Sequence, residues 1–304
     1  MKAVRIHAFG DSDQFKLEDL PRPAPRPDEV LVAIRNVGVN PVDWKMRQGQ
    51  LARAATPFPL TMGRDFAGEV IEAGGKAIDF QPGERVFGFA QGAYAEFATV
   101  AAGNLAHMPA NLTFDTAAAL PTPGLTAYQL VNQALGLQRG QTVLIHGAGG
   151  AVGSLAVQLA LHRGARVLAT DVNSELGYVT ELGAAQVFDA HGEPFEEAVG
   201  AVDAVLDLVG GETLRRSYAV VRRGGVVATT VGSVDEAEAE RHGVRAVAFV
   251  MRASAEDLAQ VAALASQGVL RPRIAQVLPL AEARRAQDLS QRGETHGKIL
   301  LRAA

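Results

Sequence analysis

Ile145-His146-Gly147-Ala148-Gly149-Gly150-Ala151-Val152-Gly153 follows the apolar run Thr142-Val143-Leu144 directly and opens a helical stretch, Ser154-Leu155-Ala156-Val157-Gln158-Leu159-Ala160. Strand, glycine turn and helix in that order meet the needs of a diphosphate: a tight turn, backbone approach without a Cβ in the way, and amides at a helix N-terminus. Gly147, Gly150 and Gly153 stand at G-x-x-G-x-x-G spacing. A glycine triplet alone is a weak signal, and its weight here comes from the strand before it, the helix after it and an acid beyond.

That acid is Asp171, which ends the next strand, Ala165 to Thr170. A carboxylate there suits the hydroxyls of an adenosine ribose and completes the pattern of a Rossmann-type dinucleotide site. A 2′-phosphate would meet like-charge repulsion, and no Arg or Lys occurs from Asp171 through Ala190 to offset it. Electrostatics therefore favours NADH over NADPH. Asp is also common at strand ends as a turn residue or helix cap, and that plainer reading stands beside the first. Enzymes using S-adenosylmethionine share the strand, glycine turn, helix and acid, so the motif alone does not separate them. A short-chain dehydrogenase is excluded, because Tyr94, Tyr128, Tyr178 and Tyr218 are followed four residues on by Ala98, Asn132, Leu182 and Arg222 rather than Lys.

Around this turn strands and helices alternate. Ala165–Thr170, Val187-Phe188, Val202–Asp207 and Val226–Thr230 read as strands, with helices at 153–163, 174–182 and 255–266 between or after them. Asp115 is placed to cap a helix through Ala117 to Ala119, and another helix follows Pro123. Apolar strands separated by helices predict a parallel sheet covered on both faces. The first third is different: Val30–Val37, Gly68–Ala73, Glu84–Gly88 and Ala93–Val100 are short β-rich runs bounded by Pro and Gly turns, the pattern of a barrel-like β domain. The tail strands Arg273–Val277 and Lys298–Leu301 share that grammar, so the tail is expected to return to the β domain.

With 48% hydrophobic and 20% charged residues in 304, the chain has the profile of a soluble globular protein. No apolar run approaches the ~18 residues that span a bilayer. Met1 to Phe9 reads as a short alternating strand without a hydrophobic signal core, so a cytoplasmic location is expected. The net charge of −4 is dispersed, with no basic cluster to mark a nucleic-acid partner. The absence of cysteine excludes disulfides, a thiolate nucleophile and thiolate-bound zinc. The seven histidines, His7, His107, His146, His162, His191, His242 and His296, include no pair at i, i+4 spacing, and no metal site is expected.

Gly38-Val39-Asn40-Pro41-Val42-Asp43, Gly63-Arg64-Asp65-Phe66-Ala67-Gly68, Gly83-Glu84-Arg85-Val86-Phe87-Gly88, Gly124-Leu125-Thr126-Ala127, the glycine turn, Leu206-Asp207-Leu208-Val209-Gly210-Gly211 and Gly297-Lys298-Ile299-Leu300-Leu301 form an ordered set of markers. With them the chain resembles the medium-chain dehydrogenase/reductase superfamily, in its zinc-independent, zeta-crystallin-like quinone oxidoreductase branch, over essentially its whole length. The resemblance implies an α/β protein with a GroES-like β-barrel domain from 1–118 and 268–304. A Rossmann doubly wound parallel-sheet domain from 119–267 lies between them in sequence, with a ligand cleft between the two and homodimers through the Rossmann sheet. Zinc alcohol dehydrogenases of the superfamily carry cysteine at the position of Asn40 and histidine at that of Arg64.

By the same resemblance Asn40 would approach the nicotinamide ribose, and Thr126 would bond near the cofactor phosphates or ribose. Gly150, Ala151, Val152 and Gly153 would hold the diphosphate. Val209-Gly210 and Val231-Gly232-Ser233 would line the nicotinamide half, with Phe249 and Lys298 nearby. Plainer readings remain for Asn40 as a turn residue before Pro41, Lys298 as a solvated strand edge, and Trp44 and Phe58 as core residues. Asp207, in an apolar strand, reads as a hydrogen-bonded structural acid. Two departures from the family matter. Arg47-Gln48-Gly49-Gln50-Leu51 has leucine where relatives often have a substrate-facing tyrosine, and NADPH-using relatives often carry a basic residue at Leu176 and a tyrosine near Ala190. Most of the branch uses NADPH, whereas the residues that would touch the phosphate favour NADH.

The expected activity is hydride transfer from NAD(P)H to a quinone or α,β-unsaturated carbonyl. Such acceptors do not need a metal to polarise them, so a zinc-free site suits them better than simple alcohols. Asn40 and, electrostatically, Lys45 and Arg47 are the catalytic candidates, with water delivering the proton. The missing tyrosine motivates an alternative, a dinucleotide-binding redox sensor or structural protein with little turnover.

Overall fold

In the computed structural model, which describes residues 1–51, 56–192, 194–293 and 295–303, contacts group the chain into two units. One contains Met1–Thr122, Ala253–Gly268 and Pro272–Ala304; the other contains Pro123–Arg252 and Val269–Arg271. The front of the chain forms β1 (Lys2–Ile6), β2 (Lys16–Asp19), β3 (Glu29–Gly38), α1 (Pro41–Arg47), β4 (Leu60–Thr61), β5 (Asp65–Ala73), β6 (Arg85–Phe89), β7 (Phe97–Ala101), β8 (Leu105–His107) and α2 (Phe114–Ala118). The middle forms α3 (Pro121–Gln129), β9 (Thr142–His146), α4 (Ala151–His162), β10 (Arg166–Asp171), α5 (Leu176–Glu181), β11 (Gln186–Asp189), α6 (Phe195–Val199), β12 (Val202–Asp207), α7 (Gly211–Ser217), β13 (Val221–Thr229), α8 (Glu236–His242) and β14 (Arg245–Ala248). The tail supplies α9 (Ala255–Ser266), β15 (Ile274–Pro279), α10 (Ala283–Arg292) and β16 (Lys298–Arg302).

In the first unit β3 is the organising strand. Val30, Leu31, Val32, Ile34 and Val37 are all buried, so both of its faces lie in the core. It pairs antiparallel with β5, β7 and β16 in a seven-stranded sheet ordered β15-β16-β3-β5-β6-β8, with β7 alongside β3. A three-stranded sheet, β2-β1-β4, accompanies it. The register of β16, with Leu300 opposite Gly38, sets Lys298 near the carboxyl end of β3, where Asn40 begins α1. Helix α9 groups with this unit and packs on β8. The span 119–267 expected for the second domain therefore compares with 123–252 plus 269–271 by contacts.

The second unit holds the parallel sheet that the alternating grammar predicts, in the order β11-β10-β9-β12-β13-β14. Successive connections run outward from β9 in one direction and from β12 in the other, so a topological switch point lies between them. Its core includes Leu144, Leu168, Val205, Val227 and Tyr218. His146 ends β9 fully buried, its ring nitrogens bonded to Thr170 Oγ1 at 2.7 Å and Ser217 Oγ at 3.0 Å. Burial pushes its imidazole down to about 4, so it is neutral at pH 7 and serves packing.

Local details differ from expectation. Helix α2 is capped by Thr113, whose hydroxyl accepts from Thr116 N at 3.1 Å, and Asp115 instead accepts from Asn36 Nδ2 at 2.7 Å. The helix expected at 174–182 is divided into a single 3-10 turn, Asn173–Glu175, and α5. Strand β14 escapes the pattern because it is an edge strand of four residues with no buried side chain.

Candidate functional site

The glycine turn joins β9 to α4 at the carboxyl edge of the parallel sheet. Gly147 has φ +70°, a left-handed conformation that glycine adopts without penalty. Gly153 lies on the first turn of α4, where a Cβ would stand 2.1 Å from Gly147 O and 2.8 Å from Ala148 Cα. Helix and turn are therefore pressed together backbone to backbone. Gly150 caps α4 without a side-chain hydrogen bond to that end. The amides of Ala151, Val152 and Gly153 belong to the first turn, which has no carbonyl four residues earlier within the helix. This cradle fits a diphosphate in both shape and dipole.

Asp171 ends β10 beside the turn. Its Oδ2 accepts from Gly149 N at 2.5 Å and its Oδ1 from Val172 N at 2.8 Å. The carboxylate thus braces the turn, as the plainer reading has it, at the end of the strand next to the cradle. The other expected positions lie along the same sheet edge. A Cβ on Gly147 would meet Val209 Cγ2 at 3.4 Å, and one on Gly210 would meet Val231 Cγ1 at 2.7 Å, which makes one apolar rim of the turn, Val209 and Val231. Both valines are exposed, at 53% and 38%. Gly232 and Ser233 follow Val231, and Phe249 is tied to the end of β13 through Phe249 N to Thr229 O at 2.8 Å. Thr126 is buried on α3. Asp207 is the structural acid expected: its carboxylate accepts from Val209 N, Gly210 N and Thr229 Oγ1 at 3.2, 3.0 and 2.6 Å.

In the first unit Asn40, Lys298, Asp65, Asp43 and Tyr94 form one buried polar network. Lys298 Nζ donates to Asn40 Oδ1 and lies 3.6 Å from Asp65 Oδ2. Asp65 also accepts from Thr122 N at 2.9 Å and Thr122 Oγ1 at 2.6 Å. Asp43 accepts from Asn40 N at 2.8 Å and from the Tyr94 hydroxyl at 3.2 Å. Burial pushes the Asp43 carboxyl up to about 7; the Asn40 N–H opposes the rise and the Asp65 charge adds to it. Burial pushes the Lys298 ammonium down, against the pull of Asp65 and Asp43. Lys298 is therefore buried, at 3% exposure, rather than a solvated strand edge.

The catalytic candidates separate. Lys45 is half-buried with its ammonium 5.5 Å from the centre of the Trp44 ring. Arg47 is 1% exposed, and its guanidinium is spent on Gln287 Oε1, Gly10 O and Gln291 Oε1, each at 2.9 Å. Leu51 is exposed, and Phe58 packs edge-on against Phe9. Sequence reasoning missed Tyr94 and Gln287, since neither belongs to a motif and both reach the network from distant segments. It also missed Glu175, whose carboxylate lies beside Gly149.

The alcohol dehydrogenase GroES-like domain matches residues 26–110, and the zinc-binding dehydrogenase domain matches residues 182–301. The donors do not fit zinc. Asn40 presents an amide oxygen already held by an ammonium, and Arg64 a guanidinium 5.5 Å from the Phe89 ring centre. Among the described residues no three His, Asp or Glu side chains are grouped to hold a metal. The quinone oxidoreductase of Pongo abelii is 31% identical over 99% of this chain and 97% of its own. The 2-methylene-furan-3-one reductase of Solanum lycopersicum is 35% identical over 77% of this chain and 63% of its own. The Escherichia coli quinone oxidoreductase complexed with NADPH superposes with a TM-score of 0.91 at 25% identity, covering 99% of this chain and 100% of that one. With a GroES-like domain, a Rossmann-type parallel sheet and a full-length match to quinone oxidoreductases, the chain belongs to the zinc-independent quinone oxidoreductase branch of the medium-chain dehydrogenases/reductases.

Proposed function

We propose that the protein is an NAD(P)H-dependent reductase of quinones or α,β-unsaturated carbonyls, with NADH the preferred cofactor. The observation that carries this reading is the cradle of Gly147 to Gly153 with Asp171 hydrogen-bonded to it, in a chain whose relatives bear reductase names. A reduced nicotinamide dinucleotide supplies the hydride when bound. The amides of Ala151 to Gly153 would hold its diphosphate, Asp171 its adenosine ribose, and Val209, Gly210, Val231, Gly232, Ser233 and Phe249 would flank the nicotinamide half, with Thr126 near the phosphates. Asn40, fixed by Lys298, would orient the nicotinamide ribose. Lys45 is the group we assign to negative charge developing on the substrate oxygen, and water completes the protonation. Arg47, buried and with each guanidinium nitrogen already bonded, has no such role in this reading.

The NADH preference rests on the Asp171 carboxylate and on the absence of Arg or Lys from Asp171 through Ala190. The NADPH complex of the E. coli relative weighs the other way. The setting we propose is a cytoplasmic homodimer; among the described residues no helix is long and apolar enough to cross a membrane, and β14 stands at an edge of the parallel sheet with β13 as its neighbour. The reductase names of the relatives weigh against a redox sensor with little turnover. Purified protein mixed with NADH or NADPH and a panel of quinones and enones should oxidise the cofactor. Turnover of ordinary alcohols alone would remove the proposal, and light scattering at the dimer mass checks the assembly.

A further inference from the structure

We propose that the acidic end of the dinucleotide cradle is a pair of carboxylates, Asp171 and Glu175, and that Glu175 is a second determinant excluding a 2′-phosphorylated nicotinamide dinucleotide. The inference rests on the reading of the cradle given above and adds a residue to it.

Glu175 closes the single 3-10 turn after β10, with Glu175 N bonded to Val172 O at 2.9 Å. That turn folds the chain back onto the glycine loop. A Cβ built on Gly149 would lie 2.8 Å from Glu175 Oε2, 3.0 Å from Glu175 Cβ and 3.2 Å from Asp171 Oδ2. Carboxylate oxygens of both residues therefore stand on the same side of one α-carbon, and glycine at 149 leaves them room. Asp171 is pinned there by two backbone amides, while Glu175 is only 3% exposed.

A ribose 2′-hydroxyl can donate to a carboxylate, whereas a 2′-phosphate brings close to two negative charges to the same place. A carboxylate within about 8 Å of that phosphate, in surroundings less polarisable than water, disfavours it by roughly tenfold. Removing Asp171 alone would leave the second carboxylate in position, so the single substitution understates the selectivity of the site.

The test is fluorescence titration of NADH and NADPH against wild type, Glu175→Gln, Asp171→Asn and the double variant, each checked by thermal melting. Glu175→Ala serves if the glutamine variant does not fold. Wild type should bind NADH more tightly. Glu175→Gln should shift the ratio of the two affinities toward NADPH by roughly fivefold or more, and the double variant should lose the preference. A ratio unmoved by Glu175→Gln in both the wild-type and Asp171→Asn backgrounds would overturn the pair. Equal weakening of both cofactors would also overturn it, since that marks a packing residue. Binding of neither cofactor by folded wild type would instead remove the reading of the cradle on which the pair rests.

Discussion

Lys298 donates its ammonium to the Asn40 amide oxygen while lying 3.6 Å from the Asp65 carboxylate, so one buried cation serves an amide and an acid at once. A charge this deep is held by its partners, and removing it leaves Asp65 uncompensated. Lys298→Met should cost about 3–5 kcal/mol in urea unfolding. Combining it with Asp65→Asn should cost less than the sum of the two single changes, because the double variant has no orphaned charge at this pair. Additive losses would show that the two residues do not share an interaction.

Gly153 tests the cradle. Its missing side chain lets Gly147 O approach to where a Cβ would be 2.1 Å away, so alanine forces α4 and the turn apart. Gly153→Ala should lower stability by about 1–3 kcal/mol and weaken dinucleotide binding by roughly tenfold or more through displaced first-turn amides. Denaturant titration of the free protein and cofactor titration of the folded fraction separate the two effects. An unchanged dissociation constant would show that the turn is not the diphosphate site.

The parallel unit was legible because β9, β10, β12 and β13 each carry an apolar run (Val143–Ile145, Val167–Ala169, Ala204–Leu206 and Val226–Ala228) and the glycine turn follows one of them. Asp171 was legible for the same reason, being a charged residue where such a run stops. Glu175 was not, because a 3-10 turn brings it back over Gly149 and linear spacing does not encode that fold-back. Lys298 read equally well as a solvated edge, since only the pairing of β16 with β3 puts it beside Asn40. Arg47 reads in the sequence as an electrostatic catalytic candidate, yet Gly10, Gln287 and Gln291 hold its guanidinium in the interior. Properties set by distant partners were the ones that sequence left open.

Asp43 predicts a pH dependence of stability. Burial raises its carboxyl from 3.8 to about 7 in the folded protein, so folding favours the protonated form. Its contribution is fully present below the unfolded value and is lost as pH rises through about 7. Asp43→Asn keeps an oxygen for Asn40 N and the Tyr94 hydroxyl but carries no charge. The stability difference between Asp43→Asn and wild type should therefore shift in favour of the variant between pH 5 and 8, by on the order of 1–3 kcal/mol. Chemical denaturation across that range measures it, and a pH-independent difference would mean Asp43 titrates as an ordinary surface acid.

His146 works in the opposite sense, from the second unit. Burial lowers its imidazole from 6.5 to about 4, so folding favours the neutral ring that Thr170 and Ser217 hold. That contribution is present above the unfolded value of 6.5 and is lost as pH falls through about 4. A shift of this size corresponds to about 3 kcal/mol across the window. His146→Gln removes the titrating group while retaining hydrogen-bonding atoms. It should be less stable than wild type at pH 7.5, through its imperfect fit against Phe195, and the gap should narrow as pH falls from 6.5 to 4. Because Asp43 and His146 pull in opposite directions over overlapping ranges, the wild-type curve should be flatter than that of either variant. A gap between His146→Gln and wild type that stays constant with pH would show that the histidine is protonated equally in the folded and unfolded states.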